Sequence, residues 1–486
     1  MRAPTHFPGW SLRDLRAFQV RRLREHLAQV VEPFLPCNGG LRRPGSPRGS
    51  CEPWDDLQRI PLMSKADLLV SPARPDRARD FVLMPDAETL RRHPARLLRT
   101  LLRHPLSFRD RLEREFRPVF LTTTTGRSAD PVPFVYTQHD LDNLAAAGLA
   151  MCAVLDTRRD FRILNMFPYA PHLAFWQVHT ACMAFGVFCA SSGGGKVMGT
   201  EGNLRLLQKL NPDVLIGMPT FLYHLLHAAA GAGARLKPSL RIVLGGEKAP
   251  PGMRAKLGEL ARALGAEQVL VSATYGLTEA RMAWAECPAE SGSPGYHLTP
   301  GQVLFEVVDP ATGEPVPDGD GGELVVTPLT ARGTVVARYR TGDRIPEGLR
   351  FDRCPLCGRM SLRIPDAISR ASEVREMRLE KLKGALVDFN ALERLLDDEA
   401  GLRSWQIELR KANDDPLDLD RLILHAAPRE GVDTAALARH LEDKFMVATE
   451  VRPNEIRFLS LADMARLQGV GQNLKEARLV DHRPRA

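Results

Sequence analysis

Although 44% of the 486 residues are hydrophobic, no uninterrupted apolar run reaches the roughly 18 residues that a membrane-spanning helix needs. Met1 to Leu12 lacks an apolar secretory core, so no signal peptide and a cytoplasmic location are expected. Cysteine is sparse. Eight thiols in so long a chain make no disulfide framework, and Cys37, Cys51, Cys152, Cys182 and Cys189 read as ordinary reduced thiols. Dense basic tracts with interleaved aromatics are missing, and the net charge is only +7. Nucleic-acid binding is therefore not expected, while a mild excess of Lys and Arg suits anionic small molecules. There is no internal repeat, no low-complexity segment and no Walker-type order of glycines and lysine.

What is present needs at least two domains, because the chain is too long for one ordinary core. Residues 11–36 carry Leu12, Leu15, Phe18, Val20, Leu23, Leu27 and Val31 at helical spacing, and residues 86–116 read as a basic, largely helical insertion. From about 117 to 275, strand-length apolar runs alternate with helical segments. The runs are Pro118–Leu121, Arg162–Phe167, Val187–Ala190, Asp213–Met218, Arg241–Leu244 and Gln268–Ser272. Such alternation predicts an α/β fold with mainly parallel sheets covered by helices, and ligands at the carboxyl ends of the strands. Short strands from Val303 to Thr327 predict a small added β unit. After Ile368 the composition changes, so residues 1–368 and 369–486 are expected to be a large N-terminal and a small α/β C-terminal domain.

Four strand-to-loop junctions carry chemistry. Thr122, Thr123, Thr124 and Thr125 with Gly126 and Arg127 offer donors to phosphate oxygens, although a plain polar turn would look similar. In Ala273-Thr-Tyr-Gly-Leu-Thr-Glu279 the glycine permits close backbone approach, and Glu279 can hold magnesium. The alternative is a strand-to-helix turn with Glu279 at a helix start. Gly245-Gly-Glu-Lys248 is a third junction. In the fourth, Arg338-Tyr-Arg-Thr-Gly-Asp343, the aspartate can accept two hydrogen bonds from a ribose diol.

Taken together and in this order, the chain resembles the adenylate-forming superfamily, most closely its phenylacetate–CoA ligase branch. Tyr275–Glu279 and Tyr339–Asp343 match two of its motifs in full. Thr122–Arg127, Gly245–Lys248, Ser369-Arg370, Lys383-Gly384 and Asn473–Arg483 match others in part. The resemblance implies ATP-dependent activation of a carboxylic acid, apolar or aryl, to an acyl adenylate, followed by transfer to CoA. It implies that Thr124, Thr125 and Gly126 hold the β- and γ-phosphates, with Thr122, Thr123 and Arg127 in the same loop. Gly246 and Glu247 would line adenine, with Tyr275 stacking on the base, and Lys248, Thr274 and Gly276 would be further cofactor-binding residues. Thr278 would bond the α-phosphate, Glu279 the magnesium, and Asp343 with Arg370 the ribose. Lys475 would bridge the carboxylate and the α-phosphate, and the small domain would rotate between the two half-reactions. Departures occur at Thr123, Ser372-Glu373 and Leu474. They leave open an amine or a carrier-protein thiol as acceptor. A degenerate nucleotide-binding regulator is a third reading, opposed by the joint presence of Glu279, Asp343 and Lys475.

Two further sites are expected. Cys354-Pro-Leu-Cys357-Gly is a Cys-x-x-Cys knuckle suited to structural zinc, with Cys287 and His297 as the plausible second pair. Two reduced cysteines in a loop are the alternative. The acid pocket should be lined by Phe167, Tyr169, Phe175, Trp176, Gly217 and Met218. The expected partners are a small carboxylic acid, ATP and CoA, with no membrane, and a homodimer remains open.

Overall fold

In a computed structural model of the protein, the described residues are 5–26, 57–58, 60–69, 75–83, 108–124, 131–370, 374–377, 385–412, 419–449, 451–472 and 476–483. Thr125, Gly126, Arg127, the stretch 371–373 with Ser372 and Glu373, Lys383, Gly384, Leu474 and Lys475 lie outside them, as do Cys37 and Cys51. Of the two helical stretches expected near the start, the described parts are α1 (Leu12–His26) and α2 (Phe108–Phe116).

The alternating region forms β1 (Pro118–Thr123), β2 (Pro133–Thr137), α3 (Gln138–Val154), β3 (Arg162–Asn165), α4 (Leu173–Phe185), β4 (Phe188–Ser191), α5 (Gly194–Leu210), β5 (Val214–Gly217), α6 (Pro219–Gly231), β6 (Ser239–Leu244), α7 (Pro251–Ala263) and β7 (Gln268–Leu277). Local chemistry sets these bounds. Thr137 and Asp140 close a capping box at the start of α3. Gly186, at φ 75°, ends α4 in the left-handed conformation. Prolines open α6 and α7, where their missing N–H costs nothing. Strand β5 is buried along its whole length, as expected for a parallel strand covered on both faces.

Among the described residues the largest sheet has nine strands, and only half of it is parallel. Strands β4, β3, β5, β6 and β7 run parallel. The rest, β8 (Met282–Ala285), β9 (Tyr296–His297), β13 (Arg350–Arg353) and β14 (Met360–Ile364), continue it antiparallel in the order β7-β8-β9-β14-β13. Strand β7 runs five residues past the expected Ser272 because Thr274–Leu277 pair with Ala285–Met282. The Tyr275–Glu279 motif therefore sits at a hairpin, and the strand-to-helix alternative is corrected: no helix starts at Glu279.

Strands β10 (Val303–Val308), β11 (Gly322–Pro328), β12 (Tyr339–Ile345) and β15 (Ser369–Arg370) form a second, antiparallel sheet. Ser369 and Arg370, grouped by composition with the C-terminal segment, thus pair with Arg344 and Asp343. Beyond the ribbon of β16 (Val374–Met377) and β17 (Ala385–Asp388) lies a four-stranded sheet. It joins β18 (Leu402–Lys411), β19 (Asp420–Pro428), β20 (Glu455–Phe458) and β21 (Leu479–Asp481), with helices α8 (Phe389–Asp397), α9 (Thr434–Thr449) and α10 (Leu461–Gln468). Buried apolar side chains form one large core within Leu15–Ile364 and a separate one within Val387–Val451. No described helix is long and apolar enough to cross a membrane.

Candidate active site

One cavity of about 1940 Å³ opens at the carboxyl ends of the parallel strands and gathers most of the residues singled out in the sequence. Thr124, Gly246, Glu247, Lys248, Thr274, Tyr275, Gly276, Thr278, Glu279, Asp343 and Arg370 all border it. They come from five separate segments, so the sheet topology brings them together.

Asp343 is the fixed point. Its carboxylate is 1% exposed. Oδ2 accepts the Tyr275 hydroxyl at 2.7 Å and Oδ1 accepts Arg370 Nε at 2.9 Å. The Asp343–Arg370 register in β12 and β15 sets the second contact. Burial, then the Asp343 charge, pushes the Tyr275 phenol well above its ordinary value, so it stays a donor. The Asp343 carboxylate holds the Arg370 guanidinium up in turn, so it stays charged. Glu279 is half-buried and accepts the Tyr339 hydroxyl at Oε1, 3.2 Å away. Burial pushes its carboxyl above the ordinary value. A carboxylate in that state gains most from a cation beside it.

Glycines shape the floor. A Cβ on Gly245 would lie 2.4 Å from Thr274 Oγ1, and Gly246 has φ +78°. The Thr274 hydroxyl is held by Leu244 O at 2.9 Å. Glu247 accepts from Thr220 Oγ1 at 2.9 Å and meets Glu476 of the C-terminal segment.

Some expected roles move. Thr122 is fully buried, with its hydroxyl 3.0 Å from that of Tyr136, and it does not border the cavity. Thr123 donates to Pro171 O at 3.3 Å, which leaves Thr124 as the described threonine of the Thr122–Thr125 run that borders the cavity. Lys248 borders the cavity, but its ammonium donates to Glu393 Oε2 at 2.9 Å and to Asn390 on α8. It ties the two cores together. In the acid pocket, Phe167, Phe175 and Met218 line the cavity, whereas Tyr169, Trp176 and Gly217 do not. Adjacent helix positions point about 100° apart. Phe175 therefore faces in, while Trp176 packs edge-on to Phe120 and donates to Ala170 O at 3.2 Å. Tyr169 lies over Gly193 and donates to Ser191 O at 2.6 Å. Gly217 is packed against Leu222 and Met166.

Sequence reasoning missed Glu286 as a buttress. It binds Arg254 through both carboxylate oxygens, at 2.7 and 3.0 Å, and accepts Ala273 N at 2.7 Å. Only its place in the β8 hairpin reveals this. Arg478, part of the Asn473–Arg483 match, reaches Asp397 at 2.9 and 3.0 Å.

Away from this cavity, Cys287, His297, Cys354 and Cys357 converge, with all four ligand atoms within 4.8 Å of one another. Cys287 Sγ is 3.7 Å from Cys354 Sγ, and Cys357 Sγ is 3.7 Å from His297 Nε2. The other ring nitrogen, Nδ1, meets Ser361 Oγ at 3.0 Å.

Residues 116–333 match the family described as AMP-binding enzyme. The phenylacetate–coenzyme A ligase of Thermus thermophilus is 26% identical over 366 residues, which are 75% of this chain and 72% of that one. The Escherichia coli phenylacetate–coenzyme A ligase is 24% identical over 68% of this chain and 67% of its own length. Among solved structures, 2-hydroxyisobutyryl-CoA ligase in its postadenylation state superposes with a TM-score of 0.72 at 19% identity, over 98% of this chain and 91% of that one. The same ligase in its thioesterification state gives 0.58 at 19% identity, over 98% and 91%. The fold is that of an adenylate-forming ligase. The chain is thus similar in sequence to AMP-binding enzymes and to phenylacetate–coenzyme A ligases.

Proposed function

We propose that the protein activates an apolar or aryl carboxylic acid with ATP and transfers the acyl group to CoA, releasing pyrophosphate and then AMP. The observation that carries this reading is the Tyr275–Asp343–Arg370 triangle beside Glu279 in one cavity. It is an acceptor site for a ribose diol next to a carboxylate suited to a cation. We assign residues 1–368, with Ser369 and Arg370 paired to β12, to ATP and acid binding, and the rest of 369–486 to a mobile unit carrying Lys475. A cytoplasmic location is part of the same reading.

In the first half-reaction a carboxylate oxygen attacks the α-phosphorus. The new C(O)–O–P bond forms as the bond to the bridging oxygen breaks and pyrophosphate leaves. Gly245 and Gly246 let the nucleotide approach the backbone. Asp343 orients the ribose, and Thr278 and Lys475 bear on the α-phosphate, where charge develops. Glu279 would hold a magnesium ion, which would supply neutralisation of the phosphate charge. In the second half-reaction the CoA thiol loses its proton, sulfur attacks the acyl carbon and AMP departs. The better superposition with a postadenylation-state ligase supports reading this arrangement as the one in which the adenylate forms.

The cysteine–histidine cluster fits structural zinc. A tetrahedral ion with Zn–S of about 2.3 Å holds sulfurs about 3.8 Å apart, close to the 3.7 Å found between Cys287 and Cys354. The Ser361 contact leaves His297 Nε2 to face the thiols. The test of function is pyrophosphate release across a panel of acids, with and without CoA. Acyl-CoA formed only when CoA is present supports the ligase. Adenylate without acyl-CoA would move the acceptor to an amine or a carrier-protein thiol.

A further inference from the structure

The cavity does not stop at the nucleotide. It continues across the face of the parallel sheet, beneath α3 and α4. Strands β5 and β6 show this through alternation. Leu215, Ile242 and Leu244 have no exposure, whereas Val214, Ile216 and Val243, on the opposite face, keep 5%, 6% and 5%. Side chains so deep in a sheet can keep that area only by facing an internal space, and all three line the cavity. The helix wall is built from Val178, Ala181 and Cys182 of α4 and Cys152 of α3. In an ordinary α/β layer large side chains fill this gap. At Cys152, Val178, Ala181 and Cys182 the helix side chains are small, and the space between sheet and helices there stays open.

Its ends are defined. Phe167, Met218 and Thr274 flank the mouth beside the nucleotide residues. At the amino ends of the strands, Arg241 donates to Asp156 O at 3.1 Å and to Asp156 Oδ2 at 3.1 Å, and lies 5.1 Å from the Phe161 ring centroid. Arg241 borders the cavity at this end with its charge paired to Asp156. Gly246 lies five residue steps beyond Arg241, so at about 3.3 Å per step the tunnel is about 17 Å long. An extended alkyl chain advances about 1.3 Å per carbon, given a C–C bond of about 1.5 Å.

We propose that this tunnel holds the acyl chain, and that the acid is an unbranched aliphatic one of about a dozen carbons, by that spacing. The proposal rests on the acid-activating reading above. An arylacetate would occupy only the mouth. A slender chain instead removes the apolar faces of both walls from contact with water along their whole length.

The experiment is ATP–pyrophosphate exchange with straight-chain acids from butanoate to octadecanoate and with phenylacetate, paired with calorimetric titration of dodecanoate in the absence of ATP. The kcat/KM should rise by up to about fourfold per methylene, the equivalent of about 0.8 kcal/mol, and peak near dodecanoate. Val243→Phe and Val178→Phe block the tunnel from opposite walls, and each should move the optimum towards hexanoate and weaken dodecanoate binding. Dodecanoate that binds wild type but not these variants supports the tunnel even if no acid supports exchange, an outcome that would overturn the ligase reading alone. Exchange with phenylacetate and short acids, with no binding or turnover of dodecanoate, overturns the tunnel and leaves the ligase standing. The wild-type chain-length series decides the matter if either variant fails to fold.

Discussion

The Tyr275 hydroxyl donates to Asp343 Oδ2 at 2.7 Å, joining the end of a central strand to a strand of a different sheet. The contact links two sequence motifs separated by more than sixty residues and fixes the carboxylate that a ribose would meet. Asp343→Ala should raise the KM for ATP by about 10- to 100-fold, because it removes charged hydrogen bonds of about 1.5–3 kcal/mol in total. Steady-state kinetics read this, and an unchanged KM would remove Asp343 from the nucleotide site. Tyr275→Phe, which loses one donor and keeps the ring, should cost less.

Lys475→Ala should lower adenylate formation by about 10²–10³-fold, the worth of one charge-stabilising donor at a reacting centre. Thioester formation from synthetic acyl adenylate and CoA should survive if the lysine serves only the first half-reaction, as proposed. Stopped-flow measurement of each half-reaction separates the two. Equal losses in both would point to damaged folding of the C-terminal segment.

Glu476 sets a pH dependence. Burial first, and then the charge and hydrogen bond of Glu247, push its carboxyl up, with Arg478 opposing. The folded chain therefore keeps a proton that the unfolded chain releases above the ordinary value of 4.5. Stability is full below that value and declines as pH rises above it. The thermal midpoint of the wild type should fall between about pH 6 and pH 9, and Glu476→Gln should flatten that slope by keeping the contact without the titration. A slope unchanged in the variant would assign the effect to another group.

The cysteine–histidine cluster should bring about one zinc ion per chain through purification, as four closed ligands predict. Cys354→Ser or Cys287→Ser should abolish this and lower the thermal midpoint by several degrees. Adenylation should persist at low temperature, because the cluster lies outside the nucleotide cavity. Elemental analysis with a thermal melt checks it.

Much of the site was legible because its chemistry is local. A glycine-bearing turn after an apolar strand declares itself in a few residues, as at Gly245-Gly246 and Thr341-Gly342-Asp343. The Cys-x-x-Cys pair Cys354–Cys357 is also local, and Cys287 and His297 lie beside it as expected. Side-chain direction was not legible. Phe175 and Trp176 are neighbours in the chain with the same aromatic character, yet only Phe175 reaches the cavity. Lys248 reads as a nucleotide residue until Glu393 is seen beside it.

The sequence by itself determined the alternation of strands and helices, and the motif residues and their order. These depend on hydrophobic period and on the short-range chemistry of turns. Tertiary structure alone decided that half of the large sheet is antiparallel, that Ser369-Arg370 joins β12, and that Val214, Ile216 and Val243 face an open tunnel and not a filled layer. Strand pairing and cavity volume depend on what stands across the gap, and residues far away in the chain supply it. No local pattern can encode that.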